Sequence, residues 1–345
     1  MLCALIMAGG IGARFWPQST LEKPKQFLPL INEKTMLQMT YDRINKLIPK
    51  ENIFIVTNYK YKDKIKEQIS EIRDINIITE PCSRNTAPCI LLSTIYIKNI
   101  YKNANIVCVS SDSYIENENK FIEDISLANE FVTKEQNAIV TIGIKPTRPE
   151  TNYGYIKYEH SENKVLKVSS FVEKPNLELA QKYYESKEYL WNAGMFIFNA
   201  ESILKEFENN VPKEYNLLIN LSEHTNLEYY KFLNENYEKC TKISIDYAVM
   251  EKSNNVYTIP TEIGWDDIGT WNSVERYLPK DINNNVLKGD IKAIESNNNI
   301  VYGNNKKIVL LDVDNIFCID SDDIIIIGKK ESLNKVHTLK DKIEK

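Results

Sequence analysis

Short apolar runs alternate with stretches of helical spacing along the first part of the chain. Leu2 to Ala8 is apolar throughout, the pattern of a central parallel strand covered on both faces. Ile53 to Thr57, Ile75 to Thr79, Ile106 to Ser110 and Ala138 to Ile142 read as further strands. Between them Tyr59 to Ile69, Thr86 to Asn99 and Phe121 to Thr133 read as helices, the second capped near Asn85. This alternation predicts an α/β fold built on a mostly parallel sheet with helices on both faces. Ligands are then expected at the carboxyl ends of the strands, where Gly9 and Asp112 fall.

The pattern changes after this. Tyr153 to Tyr158 and Val165 to Phe171 read as a hairpin, and Trp191 to Phe198 as a strand rich in aromatics. Ala200 to Leu233 reads as helical with a solvent-facing pattern, and this middle part as a lobe on the side of a second substrate. From Asp281 the helical period is lost until the Lys-rich end, and Asn clusters at 283–285, 297–299 and 304–305 separate short β-like runs. Asparagine tolerates the left-handed region, so it can supply the turns in a chain with 11 glycines. A body over residues 1–280 and a small β appendage with a terminal helix over 281–345 follow.

Composition narrows the class. With 43% hydrophobic and 26% charged residues the chain reads as an ordinary globular protein of 345 residues, long enough for a large core. No apolar run reaches the length of a membrane span, and Met1 leads directly into the first strand, so a cytoplasmic protein is expected. Six cysteines without a CxxC pair agree, with Cys3, Cys108 and Cys318 expected as buried thiols. Cys82 and Cys89 lack zinc-site spacing, and His160, His224 and His337 are scattered. The net charge of -5 speaks against nonspecific nucleic-acid binding, so an anionic substrate must be held by local cations, for which Arg14, Lys25 and Lys174 are the candidates.

The chemistry starts where the first strand ends. Ala8, Gly9, Gly10 and Gly12 leave the backbone open to a ligand and its N–H groups free to meet anionic oxygens. No Gly-Lys-Ser/Thr closes the turn as in a Walker loop, and Arg14 stands where a dinucleotide fingerprint needs its third glycine. A lone Gly-x-Gly would suit a plain turn. With Arg14 and Lys25 beside it, the loop points to a nucleoside triphosphate.

Asp112 follows a strand, and Asp267 lies in Gly264-Trp265-Asp266-Asp267-Ile268-Gly269. Magnesium carrying phosphates takes one or two carboxylates and keeps several waters, so this pair suits Mg²⁺, with Asp266 as the substitute. The alternative is that each caps a turn or helix, as Asp beside Ser or Gly commonly does; with the glycine loop present, the metal role is favoured. Glu173-Lys174-Pro175 offers a point charge for a sugar phosphate and an acceptor for hydroxyls. Gly154, Asn192 and Asp246 add positions suited to sugar recognition, and also to turns or caps. Asn85, Thr86 and Ala87 open a helix after Arg84, a place for an anion or a base edge. No Ser-His-Asp arrangement or Cys-His pairing stands in motif context.

Taken in order, Gly9 to Pro17, Pro24 to Phe27, Glu80-Pro81 through Pro88, Phe171 to Pro175, Asn192 to Phe196, Ile245 to Glu251 and Gly264 to Gly269 resemble the bacterial mannose-1-phosphate guanylyltransferases. The resemblance spans about the first four-fifths of the chain. It implies a GT-A-like nucleotidyltransferase fold over residues 1–280, Mg²⁺ as cofactor, and GTP with α-D-mannose 1-phosphate giving GDP-mannose and pyrophosphate. The segment after Asp281 is then a β-helix-like module of the kind used in dimer contacts, and the enzyme a monofunctional homodimer.

In those terms Arg14, Lys25 and Lys174 are the catalytic cations. The nucleotide falls to Ala8, Gly9, Gly10, Gly12, Arg14, Lys25, Asn85, Thr86, Ala87 and Asp112, the sugar phosphate to Gly154, Glu173, Lys174, Asn192 and Asp246, and the metal to Asp112 and Asp267. One departure stands out: where the family reads Pro-Ala-Asp-His, this chain has Ser110-Ser111-Asp112-Ser113, keeping the carboxylate and losing the histidine.

Three alternatives are weighed. Another sugar-nucleotide pyrophosphorylase would share all these groups. A noncatalytic regulatory subunit would be expected to lose Arg14, Lys25 or an aspartate. An NAD-dependent oxidoreductase would need a ribose-binding acid where Thr57-Asn58 stands.

Overall fold

The computed structural model describes residues 1–10, 12–221 and 227–343, so the sequence readings at Ile11 and His224 lie outside the described residues. The chain forms two compact units. The larger takes Met1–Gly9, Thr40–Ser111 and Ile115–Trp265, the smaller Gly10–Met39, Asp112–Tyr114 and Asp266–Lys345.

The sheet of the larger unit holds β1 (Leu2–Met7), β2 (Ile53–Asn58), β3 (Ile77–Glu80), β4 (Asn105–Ser110), β5 (Ile139–Ile144), β6 (Tyr155–Tyr158), β7 (Leu166–Val172), β8 (Tyr189–Asn199) and β9 (Val256–Thr261). Their order is β3-β2-β1-β4-β8-β5-β9-β7-β6. The parallel expectation holds for β3-β2-β1-β4 and for β5 with β9. Beyond these the sheet is mixed: β8 runs antiparallel to β4, β5 and β6, and β7 to β6 and β9. An apolar run records burial and not direction, and a hairpin such as β6-β7 is antiparallel by construction. In β1 and β4, Met7 stands opposite Ser110, so the two strands end level.

Helices cover both faces. By sequence α1 (Met36–Asn45) belongs to both units, and α2 (Lys62–Gln68), α3 (Thr86–Ile100), α4 (Glu118–Lys134), α5 (Leu177–Ser186), α6 (Ala200–Asn210), α7 (Pro212–Leu218) and α8 (Leu227–Tyr237) belong to the larger. On one face Phe121, Ile125, Ala128 and Val132 of α4 are buried against β4, β5 and β8. On the other, α3 packs between the sheet and α6 and α7. The solvent-facing reading of 200–233 is corrected here over its described residues, 200–221 and 227–233. Ile203, Phe207, Leu218, Tyr229 and Leu233 are buried in the same core as α3, because each amphipathic helix turns its apolar side inward.

The smaller unit contains α9 (Trp271–Glu275), β10 (Val286–Lys288), β11 (Ile291–Ile294), β12 (Ile300–Tyr302), β13 (Ile308–Leu311), β14 (Ile316–Asp320), β15 (Ile325–Lys329) and α10 (Lys340–Ile343), the last reached through a 3-10 stretch, Lys330–Leu339. β10, β12 and β14 pair in parallel, as do β11 and β13, so successive coils stack as in a β-helix. The asparagines do supply the turns: Asn284, Asn298 and Asn315 have φ of 61, 55 and 56°. Beside them an amide ladder satisfies the buried backbone, with Asn299 N donating to Asn285 Oδ1 at 2.9 Å and Ile316 N to Asn299 Oδ1 at 3.0 Å. Cys3, Cys89, Cys108, Cys240 and Cys318 are free and buried, and burial pushes the Cys3 thiol up to about 12. Among the described residues no helix is long and apolar enough to cross a membrane.

Candidate active site

The predicted groups fall into two clusters, one in each unit. In the smaller unit the glycine turn is shaped by Gly10 and Gly12, whose φ values of 88 and 68° an L side chain rarely adopts. Gly12 also meets a second constraint, since a Cβ there would overlap Cβ of Lys25. That close approach seats Lys25, 5% exposed, so that Nζ donates to Asp112 Oδ2 at 2.8 Å and to the Asp267 carbonyl at 2.7 Å. Nζ also lies 5.6 Å from the centre of the Phe15 ring. Arg14 is exposed, in the 3-10 turn Ala13–Phe15.

What Asp112 and Asp267 share is therefore the Lys25 ammonium. The Asp267 carboxylate accepts from Gly269 N at 3.1 Å, and the Asp112 side chain is 33% exposed. Asp266, the substitute candidate, is 1% exposed and committed to structure: Arg276, Tyr277 Oη at 3.1 Å and Ile268 N at 2.9 Å donate to its carboxylate. Among the described residues no group of three or more His, Cys, Asp and Glu is arranged to hold a metal. Two all-oxygen side chains nevertheless suit a hard cation that takes one or two carboxylates and keeps its waters.

In the larger unit Ala8 is tied into the sheet, its N donating to Val56 O at 2.8 Å and its carbonyl accepting from Thr57 Oγ1 at 2.9 Å. Gly9 is exposed. Asn85, Thr86, Glu173, Lys174 and Asp246 come together around one cleft of about 420 Å³. Asn85 holds φ 68°, ψ -172° and caps α3 by accepting from Thr86 N at 2.8 Å, a backbone arrangement that costs about 1–3 kcal/mol in a non-glycine residue. Thr86 Oγ1 accepts from Ile245 N at 2.8 Å, and Ala87 N donates to Ile243 O at 3.1 Å, which docks the start of α3 onto the 243–245 segment.

Lys174, also at positive φ, pairs with Glu173. Gly154 lies behind this pair, where a Cβ would stand 2.8 Å from Glu173 Oε2. Asp246 opens a π-helical turn, Asp246–Met250, and accepts from Asn192 Nδ2 at 2.7 Å, so it is both part of a turn and part of the cleft. Burial, with the Glu173 charge nearby, raises its carboxyl above the usual range. Lys242 and Ser244 line the same cleft and were not singled out in the sequence, whereas Tyr247 lines it from within the run that begins at Ile245. The position of Lys242 just before that run was the available signal.

Glu80 ends β3 immediately before the Pro81-to-Asn85 loop and is 7% exposed. Tyr237 of α8 donates to it, and burial pushes its carboxyl up to about 7. The folded chain therefore binds a proton that the unfolded chain, with a carboxyl near 4.5, has already lost. Stability contributed by the neutral acid falls as pH rises from about 4.5 to 7, by about 3 kcal/mol at most. Glu80→Gln is expected to melt like the parent at pH 4.5 and several degrees higher at pH 8. Equal melting curves at pH 8 would show that Glu80 carries no such penalty.

Comparison with known proteins gives a consistent picture. The family model described as nucleotidyl transferase matches residues 3–284. A mannose-1-phosphate guanylyltransferase of Salmonella montevideo is 35% identical over 355 residues, covering 100% of this chain and 74% of that protein. One of Salmonella muenchen is 37% identical, covering 99% and 73%. A solved structure from Thermus thermophilus, described as a mannose-1-phosphate geranyltransferase, superposes with a TM-score of 0.88 at 30% identity, over 100% of this chain and 99% of that one.

Proposed function

Since the chain belongs to the nucleotidyl transferase family, and within it to the mannose-1-phosphate guanylyltransferases, we propose that it transfers GMP from GTP to α-D-mannose 1-phosphate, giving GDP-mannose and pyrophosphate. The observation that carries the reading is Lys25, a buried ammonium preset by Asp112 and the Asp267 carbonyl beside the Gly10–Gly12 turn. A phosphate monoester, with a second pKa of ~6, is already mostly a dianion at neutral pH and needs no general base. Its oxygen bonds to the α-phosphorus of GTP as the bond to the bridging oxygen of the β-phosphate breaks, and pyrophosphate leaves with the electron pair. The protein then has only to align the reactants and offset negative charge.

In this reading Gly9, Gly10, Gly12, Arg14 and Lys25 receive the triphosphate. Asn85 and Thr86 contribute to nucleotide binding, with Ala8 and Ala87 shaping the backbone around them. Lys174 holds the sugar phosphate, and Glu173, Asp246 and Asn192 meet sugar hydroxyls, with Gly154 leaving room for Glu173. Asp112 and Asp267 would hold Mg²⁺, which when bound offsets phosphate charge. Residues 1–280 are the nucleotidyltransferase domain and 281–345 the appendage, a division supported by the end of the family match at 284. A homodimer is part of the proposal, supported by the apolar outer positions Ile294, Val309 and Leu311, which are 48, 53 and 64% exposed. The free buried thiols support a reducing, cytoplasmic setting.

Pyrophosphate release measured across four nucleoside triphosphates and several hexose 1-phosphates tests the substrates. GTP with mannose 1-phosphate should turn over fastest; a clear preference for UTP or dTTP with glucose 1-phosphate would overturn the assignment. Lys174→Ala should raise KM for the sugar phosphate about tenfold or more, as loss of a charge-assisted contact does. A change confined to the KM for GTP would move Lys174 to the other substrate.

A further inference from the structure

The loop between β5 and β6, in the larger unit, is bound to itself by one carboxylate. Glu150 Oε1 accepts from Thr151 N at 3.0 Å, from Asn152 N at 3.1 Å and from Asn152 Nδ2 at 2.8 Å. Glu150 Oε2 accepts from Arg148 Nε at 3.1 Å, with Nη2 also 3.1 Å away. Although burial works the other way, the Asn152 donors and Arg148 hold this carboxyl below its ordinary range, so it stays charged at neutral pH. The main chain of Glu150 is held as well: Tyr155 Oη accepts from its N at 3.0 Å and donates to its carbonyl at 2.9 Å.

Arg148 carries this tie beyond the loop. Its guanidinium lies 5.0 Å from the centre of the Trp191 ring and 5.9 Å from that of Tyr153, and the two rings meet edge to face at 5.2 Å. Both rings are buried, so the guanidinium rests on a packed surface. Each ring stands one residue before a group placed with the sugar phosphate, Trp191 before Asn192 and Tyr153 before Gly154. Those two groups are joined through the main chain, Asn192 N donating to Gly154 O at 2.8 Å. Asn192 Nδ2 in turn holds Asp246, and Gly154 lies so close behind Glu173 Oε2 that a Cβ would already crowd it. A small displacement of either residue therefore reaches Asp246 or Glu173.

We infer that Arg148 and Glu150 are positioning residues for the sugar phosphate, a clamp that sets Gly154 and Asn192 through Tyr153 and Trp191. Neither is assigned a contact with substrate. The inference rests on the proposed placement of the sugar phosphate beside Gly154, Glu173 and Asn192. The contacts that make the clamp involve none of the residues assigned to GTP, so loosening it acts on one substrate. The chemistry asks for arginine: a planar guanidinium can lie on the rings while its edge meets the carboxylate, whereas a lysine ammonium is a point charge that cannot do both. Such bracing matters because a misplacement of about 1 Å can cost about 10²-fold in rate.

Steady-state kinetics of Glu150→Ala, Glu150→Gln and Arg148→Lys, varying mannose 1-phosphate and GTP in turn, test the clamp. Glu150→Ala should raise the KM for mannose 1-phosphate about tenfold or more and the other two several-fold, with the KM for GTP within about twofold of the parent and kcat within about threefold. Glu150→Gln can keep an oxygen toward the loop N–H groups while it turns an amide toward Arg148. It removes the ion pair alone, and it decides the matter if Glu150→Ala is unstable in thermal melts. Since either change breaks the same clamp, Arg148→Lys combined with Glu150→Gln should do no more than the worse of the two. A merely structural role would lower the melting temperature and the active fraction and leave both KM values alone. An unmoved KM for mannose 1-phosphate in Glu150→Gln and Arg148→Lys, or equal changes in both KM values, overturns the inference, and additive effects overturn the coupling of the pair. The parent decides the substrate reading separately. If it prefers another hexose 1-phosphate, the same ratios are read with that sugar; if it turns over none, the reading falls and the inference with it, before any variant is compared.

Discussion

Gly12→Ala is expected to lower kcat by about 10²–10³ while the chain still folds. Two costs combine at this position. At φ 68° an L residue pays about 1–2 kcal/mol, and the new methyl would occupy the space of Lys25 Cβ. Because that atom is fixed to the backbone, no rotamer of Lys25 relieves the overlap. The 3-10 turn Lys25–Phe27 must shift, and Nζ then leaves Asp112 Oδ2 and the Asp267 carbonyl. Lys25→Met separates geometry from charge, since it keeps the Cβ and removes the ammonium. A comparable fall in kcat is expected from it, together with about 1–3 kcal/mol of lost stability from the unpaired partners. Steady-state kinetics with thermal melts check both. Normal turnover in Gly12→Ala would show that the setting of Lys25 does not matter to the reaction.

The glycine loop was legible because its constraint is local: few residues other than glycine adopt the backbone of Gly10 and Gly12, so the chemistry shows in the residue type. The βαβ alternation was legible for the same reason, as each run reports its own burial. Strand direction was not, and the antiparallel entry of β8 between β4 and β5 is a property of partners far away in sequence. The helices of 200–233 were misread because polar residues are interleaved with the apolar ones, and only the packing shows that Phe207 and Leu233 lie on an inner face. Within the candidate site, Lys25 and Asp112 were each recognised and given separate tasks. That one holds the other across 87 positions is visible only in the fold. Ser244 was missed since nothing about it is informative until the 243–245 segment docks on the start of α3, and Lys242 had only its place just before the Ile245 run to mark it.

Asp112→Asn and Asp267→Asn should each lower activity by about 10³ or more at ordinary Mg²⁺, the several kcal/mol that a charge-neutralising cation supplies to phosphoryl chemistry. Their side effects should differ. Asp112 contributes its carboxylate to Lys25, so its amide variant weakens that ion pair and lowers the melting temperature. Asp267 meets Lys25 through its main-chain carbonyl, which the substitution leaves in place, so its variant should melt near the parent. Titration with Mn²⁺ followed by electron paramagnetic resonance reads cation affinity apart from turnover, and should show a tenfold or greater loss in both. If either variant kept near-normal activity and Mn²⁺ affinity, that residue would leave the proposed metal set. Asp266 would not replace it, because Arg276, Tyr277 and Ile268 N already use its carboxylate and only 1% of the residue is exposed. The cation would then rest on a single carboxylate with waters and substrate phosphates completing its shell, a coordination that Mg²⁺ accepts.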